Sequence, residues 1–148
     1  MTLKTFLFVA SRQSQLAISQ GLRKVDGAKC FYCAHTLTEA DVDHFIPFSQ
    51  YPRDLTHNFV LAHPTCNRSK SDTLAAGPHL ERWLSRIDRH ADAINEIAMT
   101  AGMLADAQVS LKIAAWGYTA AIARGGSGWL APGRYEAIDQ RYGVYFRA

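Results

Sequence analysis

Two closely spaced pairs of side chains have the chemistry of zinc ligands. They are Cys30, Cys33, His63 and Cys66, which form a C-x2-C pair and an H-x2-C pair. Zinc prefers four thiolate or imidazole ligands in a tetrahedron, and a gap of two residues lets a tight turn present two of them. A closed set of four leaves no open coordination position, so the sequence predicts a structural Zn2+ site. His35 is an alternative fourth ligand, and buried free cysteines with a surface histidine are the alternative without metal.

A second group of side chains has the chemistry of phosphodiester hydrolysis. It consists of Asp43, His44, Asn58 and Asn67. The reaction needs a water that loses a proton and positive charge beside the phosphate, which a neutral histidine and a divalent metal provide. The unperturbed pKa of histidine, about 6.5, suits a base near neutral pH. Carboxylate and amide oxygens suit hard ions such as Mg2+ or Mn2+.

The order of these residues resembles the HNH endonucleases of the ββα-metal (His-Me finger) type, in a zinc-bearing branch and with an H-N-N variant of the motif. The similarity is carried by Asp43-His44, by Asn58 fourteen positions after His44 and by Asn67 nine positions further on. The resemblance implies that His44 is the general base and that Asp43 and Asn67 hold the catalytic Mg2+ or Mn2+. It also implies that Asn58 orients the loop and the His44 ring.

The same resemblance, which spans residues 30–76, implies a DNA substrate cleaved by hydrolysis to 5′-phosphate and 3′-hydroxyl ends. Lys70, and less directly Arg68, would contact the phosphate backbone. Two positions depart from the commonest family pattern. His63 stands where many relatives carry cysteine, and Asn67 stands where the third letter is histidine, which favours a hard catalytic metal.

The catalytic residues also impose a geometric condition on the first strand. A regular strand directs neighbouring side chains to opposite faces, yet Asp43 and His44 must both address one phosphate. We therefore expect His44 at a strand end or distortion, and we expect the side chains of Asp43, His44 and Asn67 to converge.

Apolar periodicity and turn residues predict the elements that position the site. They predict a helix from Thr2 that ends near Gly21, a compact knuckle over 26–40, strands over 42–46 and 59–62, and a helix from Pro64 to a stop at Gly77-Pro78. Further helices are predicted over 80–98 and 104–124, whereas the aromatic tail 129–148 is left unassigned. Trp83, Trp116 and Trp129 are predicted core anchors.

These elements predict one domain with an α+β, mainly helical fold. Residues 1–25 would form an N-terminal helix, residues 28–76 the ββα-metal core with its zinc knuckle, and residues 78–148 a helical extension. A chain of 148 residues is long enough for one hydrophobic core.

Charge and cysteine content constrain the partners and the compartment. The net charge of +3 and a pI of about 8.9 permit a nucleic-acid partner without requiring one. The three cysteines, an odd number in a metal-ligand pattern, favour a reducing compartment, and we expect the cytoplasm. The apolar run 6–10 is shorter than the roughly 7 to 15 residues of a secretory signal, and no run reaches transmembrane length, so no membrane partner is expected.

Two alternative functions stay open at this stage. In the first, the chain keeps only the zinc knuckle and acts as a non-catalytic nucleic-acid-binding or assembly module. It would otherwise act as the nuclease subunit of a larger defence, phage or recombination complex, with a partner protein or as a homodimer. Arg82, Arg86 and Arg89 form a row at i, i+4 and i+7 that would face either DNA phosphates or solvent.

Overall fold

The computed structural model describes residues 12–147, which are mainly helical and contain two small antiparallel sheets. The helices are α1 (Arg12–Asp26), α2 (Pro64–Lys70), α3 (Gly77–Ala101) and α4 (Ala107–Arg124). The strands are β1 (Asp41–His44), β2 (Phe59–Ala62), β3 (Ser127–Ala131) and β4 (Arg134–Ala137), and short 3-10 helices span Thr56–Asn58 and Gln140–Phe146. The predicted α+β, mainly helical fold class is confirmed.

The first sheet and α2 form a strand-strand-helix unit. β1 pairs antiparallel with β2, with Asp41 opposite Ala62 and His44 opposite Phe59. All four residues of β2 are buried apolar side chains, as a short continuous apolar run predicts. β1 ends at His44, before the predicted end at Ile46, because the side chain of Asn58 takes both backbone groups of Ile46 in place of a strand neighbour.

The first helix extends further than its sequence predicts. Its predicted beginning at Thr2 lies outside the described residues, and its predicted end near Gly21 is wrong because α1 continues to Asp26. Gly21 lies against Ile97 of α3, where a Cβ atom would come within 2.5 Å of Ile97 Cγ1. This glycine therefore permits close helix packing and does not stop the helix.

The helix after β2 is shorter than predicted. α2 ends at Lys70, and Gly77-Pro78 begins α3 instead of ending α2. Residues 74–76 pair with β3 through Trp129 N–H to Leu74 O and Ala76 N–H to Trp129 O, both 2.8 Å, and this pairing interrupts the helix. Pro78 fits the first turn of α3, where a backbone N–H is not needed. Within residues 12–147, no helix combines the length and the apolar character that a membrane span requires.

The C-terminal region contributes a hairpin as well as the predicted helix. β3 and β4 pair antiparallel, and Trp129 Nε1 donates to Ser69 Oγ of α2 at 2.9 Å. Trp83 and Trp129 are buried as predicted, but Trp116 is 63% exposed, so its prediction as a core anchor is wrong. The hairpin thus packs against the end of the helix that carries Asn67.

Candidate zinc knuckle and nuclease site

The four predicted zinc ligands come together in one cluster. The ligand atoms of Cys30, Cys33, His63 and Cys66 all lie within 4.8 Å of one another. His63 Nδ1 is 3.2 Å from Cys33 Sγ and 4.0 Å from Cys66 Sγ. Zn–S bonds of about 2.3 Å in a tetrahedron separate two sulfurs by about 3.8 Å, so the cluster fits a zinc ion. His35 is exposed and outside the cluster, which favours His63 as the fourth ligand.

Local backbone bonds hold the two halves of this knuckle. The first half is a tight turn in which Cys30 accepts from Ala34 N–H and donates to His35 O. Phe31 N–H donates to Leu61 O at 2.8 Å, which fastens the turn to β2. The second half is the first turn of α2, and it follows β2 directly.

The electrostatics of the cluster favour a bound cation. Burial raises the pKa of the Cys66 thiol to about 12, and negative charge on Cys30 and Cys33 adds to that rise. Burial alone would also raise the pKa of Cys30, but hydrogen bonds from the backbone of Cys33, His63 and Tyr32 outweigh it and lower the pKa. His63 Nε2 donates to Thr36 O at 2.9 Å, so Nδ1 faces the sulfurs with its lone pair. A dication would remove the repulsion between the thiolates.

His44 is the last residue of β1, as the geometric condition required, and it is fully buried. Its Nε2 atom lies 2.6 Å from Asp54 Oδ1. The rings of Phe48 and Phe59 meet the imidazole edge to face, with centroids 5.6 and 5.3 Å away. Asp54 was not predicted as a site residue, because a single carboxylate in a polar loop carries no local signal and only the path of the loop brings it to His44.

Asn58 fixes the segment that follows His44. Its Oδ1 accepts from Ile46 N–H at 2.7 Å and its Nδ2 donates to Ile46 O at 2.9 Å. Its own backbone oxygen accepts from Phe45 N–H at 2.8 Å. These bonds hold the backbone of the loop after His44. The predicted role of Asn58 in orienting the loop and the His44 ring for catalysis stays a prediction.

Asp43 lies in a buried polar cluster. Tyr32 Oη donates to Asp43 Oδ2 at 2.6 Å, and Lys70 Nζ lies 3.5 Å from the same oxygen. Lys70 also donates to His44 O at 3.3 Å, and all three side chains are buried. Burial, followed by the charge of Asp43, raises the pKa of Tyr32 well above its ordinary value. Lys70 thus points inward in this arrangement, whereas Arg68 is exposed, and the predicted phosphate contact of each stays a prediction.

Asn67 is held by a carboxylate that is not among the predicted site residues. Its Nδ2 donates to Asp41 Oδ2 at 3.0 Å. Asp41 and Asp43 are two positions apart on β1 and share a face, and their spacing was the signal that could have found Asp41. The two carboxylates and the amide are oxygen donors of the kind that Mg2+ or Mn2+ binds. The convergence of Asp43, His44 and Asn67 on one point stays a prediction.

The three arginines of the predicted row on α3 differ in their exposure to solvent. Arg86 is buried, where it binds Asp26 at 2.9 Å and the carbonyl oxygens of His57 and Phe59 at 3.0 and 2.7 Å. Its predicted place in a row facing DNA or solvent is therefore wrong, because it ties α1 and β2 to α3. Arg82 and Arg89 are exposed, and with Lys29 they line a groove of about 320 Å³ between the knuckle and α3.

Two antiparallel strands and a following helix form a small ββα unit, and a Cys3His cluster that fits a zinc ion joins it. Residues 30–76 match the family model described as HNH endonuclease. The resemblance is thereby confirmed for this segment, about a third of the chain, which contains all four knuckle residues together with Asp43, His44, Asn58 and Asn67. No curated protein and no solved structure matches the chain.

Proposed function

We propose that this protein is a metal-dependent HNH endonuclease that hydrolyses phosphodiester bonds of DNA. The match of residues 30–76 to HNH endonucleases supports a nuclease-type function and a nucleic-acid substrate. The observation that carries the finer proposal is the placement of His44, which ends β1 beside Asp43 and is followed by a segment that Asn58 fixes.

Each residue of the site would have a distinct role in the reaction. His44 takes the proton from the attacking water as general base. Asn58 keeps the turn after His44 in place, so the base stays at a constant position. Lys70 and Tyr32 hold one oxygen of Asp43. Asp41 accepts a hydrogen bond from the amide nitrogen of Asn67, whose amide oxygen would face the ion.

Asp43 and Asn67 would hold the catalytic divalent ion, with Mg2+ or Mn2+ as the candidates. Such an ion, when bound, stabilises the negative charge that develops on the phosphate and lowers the pKa of water. A separate structural Zn2+ would be held by Cys30, Cys33, His63 and Cys66. The compact Cys3His cluster supports this part of the proposal.

The groove between the knuckle and α3 is the proposed path of the DNA backbone. Lys29, Arg82 and Arg89 contribute three exposed cations, and the carboxylate of Asp26 at its edge is neutralised by Arg86. A groove with this excess of positive charge attracts phosphates through counterion release.

The test is cleavage of supercoiled plasmid in Mg2+ or Mn2+. The wild type is expected to nick or linearise the plasmid, and His44→Ala should lose about 10²-fold or more of the rate, since a general base contributes about 10²–10⁴-fold. His35→Ala is the matched control, because His35 is exposed and should affect neither cleavage nor zinc content. Absence of cleavage with every divalent metal, or full activity of His44→Ala, would refute the proposal.

One observation favours a second candidate, a non-catalytic nucleic-acid-binding module. Asp43, His44 and Lys70 are fully buried, and a catalytic site must admit a phosphate. In that case the protein would bind DNA without cutting it, and His44→Ala would leave binding unchanged.

A role as nuclease subunit of a larger defence or phage complex stays a prediction. Sedimentation of the purified chain, with and without DNA, tests for the homodimer.

A further inference from the structure

We propose that Asp54 is a positioning residue for His44, which accepts a hydrogen bond from Nε2–H and thereby leaves Nδ1 as the nitrogen that takes the proton from water. The inference rests on the proposed nuclease function. Asp54 belongs to the polar loop between β1 and β2 and is not one of the histidine and asparagine residues of the HNH motif.

The contact between the two side chains defines the tautomer. Asp54 Oδ1 lies 2.6 Å from His44 Nε2, slightly closer than the roughly 2.7–2.9 Å of most charge-assisted N–H···O hydrogen bonds. A carboxylate only accepts, and a neutral imidazole carries one proton on one of its two nitrogens. The proton therefore resides on Nε2, and the basic lone pair is on Nδ1.

The ring of His44 is held in orientation as well as in tautomer. Phe48 and Phe59 contact it edge to face, with interplanar angles of 64° and 83°. Phe59 is also the strand partner of His44 in the β1–β2 pair. Rotation of the imidazole would break the bond to Asp54 and both aromatic contacts together.

Asp54 itself is placed by a loop that is fastened near both ends. At one end Asn58 binds the backbone of Ile46. At the other, two residues after Asp54, the N–H and the hydroxyl of Thr56 both donate to Leu104 O, at 2.9 and 2.7 Å. The Asp54 side chain is only 17% exposed. The pairing with His44 is therefore built into the fold of the loop.

The size of the effect follows from what a histidine base contributes. In the Ser-His-Asp triad, replacement of the aspartate that binds the histidine by asparagine lowers kcat about 10⁴-fold, because the amide permits the wrong histidine tautomer. General-base catalysis as a whole contributes about 10²–10⁴-fold. We expect Asp54→Asn to lower the single-turnover cleavage rate by about 10²-fold.

The experiment compares Asp54→Asn with Asp54→Glu and with Asp72→Asn, which changes an exposed aspartate after α2. Asp54→Asn should slow cleavage while DNA affinity, measured without divalent metal, stays within about two-fold. Asp54→Glu keeps an acceptor and should recover part of the rate, and Asp72→Asn should match the wild type. A wild-type rate for Asp54→Asn would overturn the proposal.

A second measurement reads the tautomer directly and does not depend on cleavage. In protein labelled with 15N-histidine, the His44 resonances, assigned by their loss in His44→Gln, should show protonated Nε2 in the wild type and a mixture in Asp54→Asn. Protonation on Nδ1 in the wild type would overturn the proposal. A protein that shows the Asp54-dependent tautomer but never cleaves DNA would support the positioning pair and refute the nuclease function.

Discussion

Replacement of Lys70 by methionine tests the buried charge pair beneath the candidate active site. The change keeps the length of the side chain and removes the ammonium group, whose Nζ lies 3.5 Å from Asp43 Oδ2 with both side chains fully buried. We expect a large loss of stability, because a carboxylate in the interior would lose the cation that balances it.

The magnitude follows from the distance and the burial. At 3.5 Å and an effective dielectric constant of about 20, two unit charges attract by about 5 kcal/mol. Removal of one partner of a buried pair costs about 3–5 kcal/mol. A protein of this size commonly has a free energy of unfolding of about 5–15 kcal/mol. Lys70→Met should therefore remove a large fraction of the stability, and the double variant Asp43→Asn/Lys70→Met should be more stable than Lys70→Met.

Urea denaturation followed by circular dichroism measures the difference. Lys112→Met, on an exposed position of α4, is the matched control and should change the free energy of unfolding by less than about 0.5 kcal/mol. A loss below about 1 kcal/mol for Lys70→Met would refute the reasoning, since it would mean that Asp43 does not depend on this ammonium group.

Three further predictions concern the knuckle, the buried histidines and the groove. Removal of zinc by a chelator, or the change Cys33→Ser, should lower the melting temperature and abolish DNA cleavage, and elemental analysis should fall from one zinc per chain to none. Burial lowers the pKa of His57 and of His79, so the unfolded chain binds more protons than the folded one below about pH 6.5. As the pH is lowered through this range, the free energy of unfolding should decrease by at most about 1.4 kcal/mol per pH unit for each histidine. A free energy of unfolding, measured with urea, that does not change with pH would contradict this. Lys29→Ala and Arg89→Ala should each reduce, by about 0.9, the magnitude of the slope of the logarithm of the DNA-binding constant against the logarithm of the salt concentration. DNA titrations at several salt concentrations measure this slope, and the control Lys112→Met should leave it unchanged.

The chain's sequence predicted the elements that short-range patterns control. The knuckle was predictable because a gap of two residues is itself a turn geometry. β2 was predictable from its apolar run. The chemistry that Asp43 and His44 must share led us to expect His44 at a strand end or distortion, but the residue pattern placed the end of β1 at Ile46, two residues too late. Errors arose where a local signal served a distant contact: Gly21 permits packing on Ile97 and is not a helix end.

The candidate site divides in the same way. Sequence alone determined which residues could bind zinc or perform hydrolysis, since the types of the ligand residues and their spacing are properties of the sequence itself. Tertiary structure decided their neighbours: Asp54 for His44, Lys70 and Tyr32 for Asp43, and Asp41 for Asn67. It also turned Arg86 inward, away from any row on the surface. These contacts join separate segments, and the path of a loop or the packing of a helix is set by the whole core. A local pattern can mark a candidate, as the spacing of Asp41 and Asp43 on one strand face does, but it does not encode the contact.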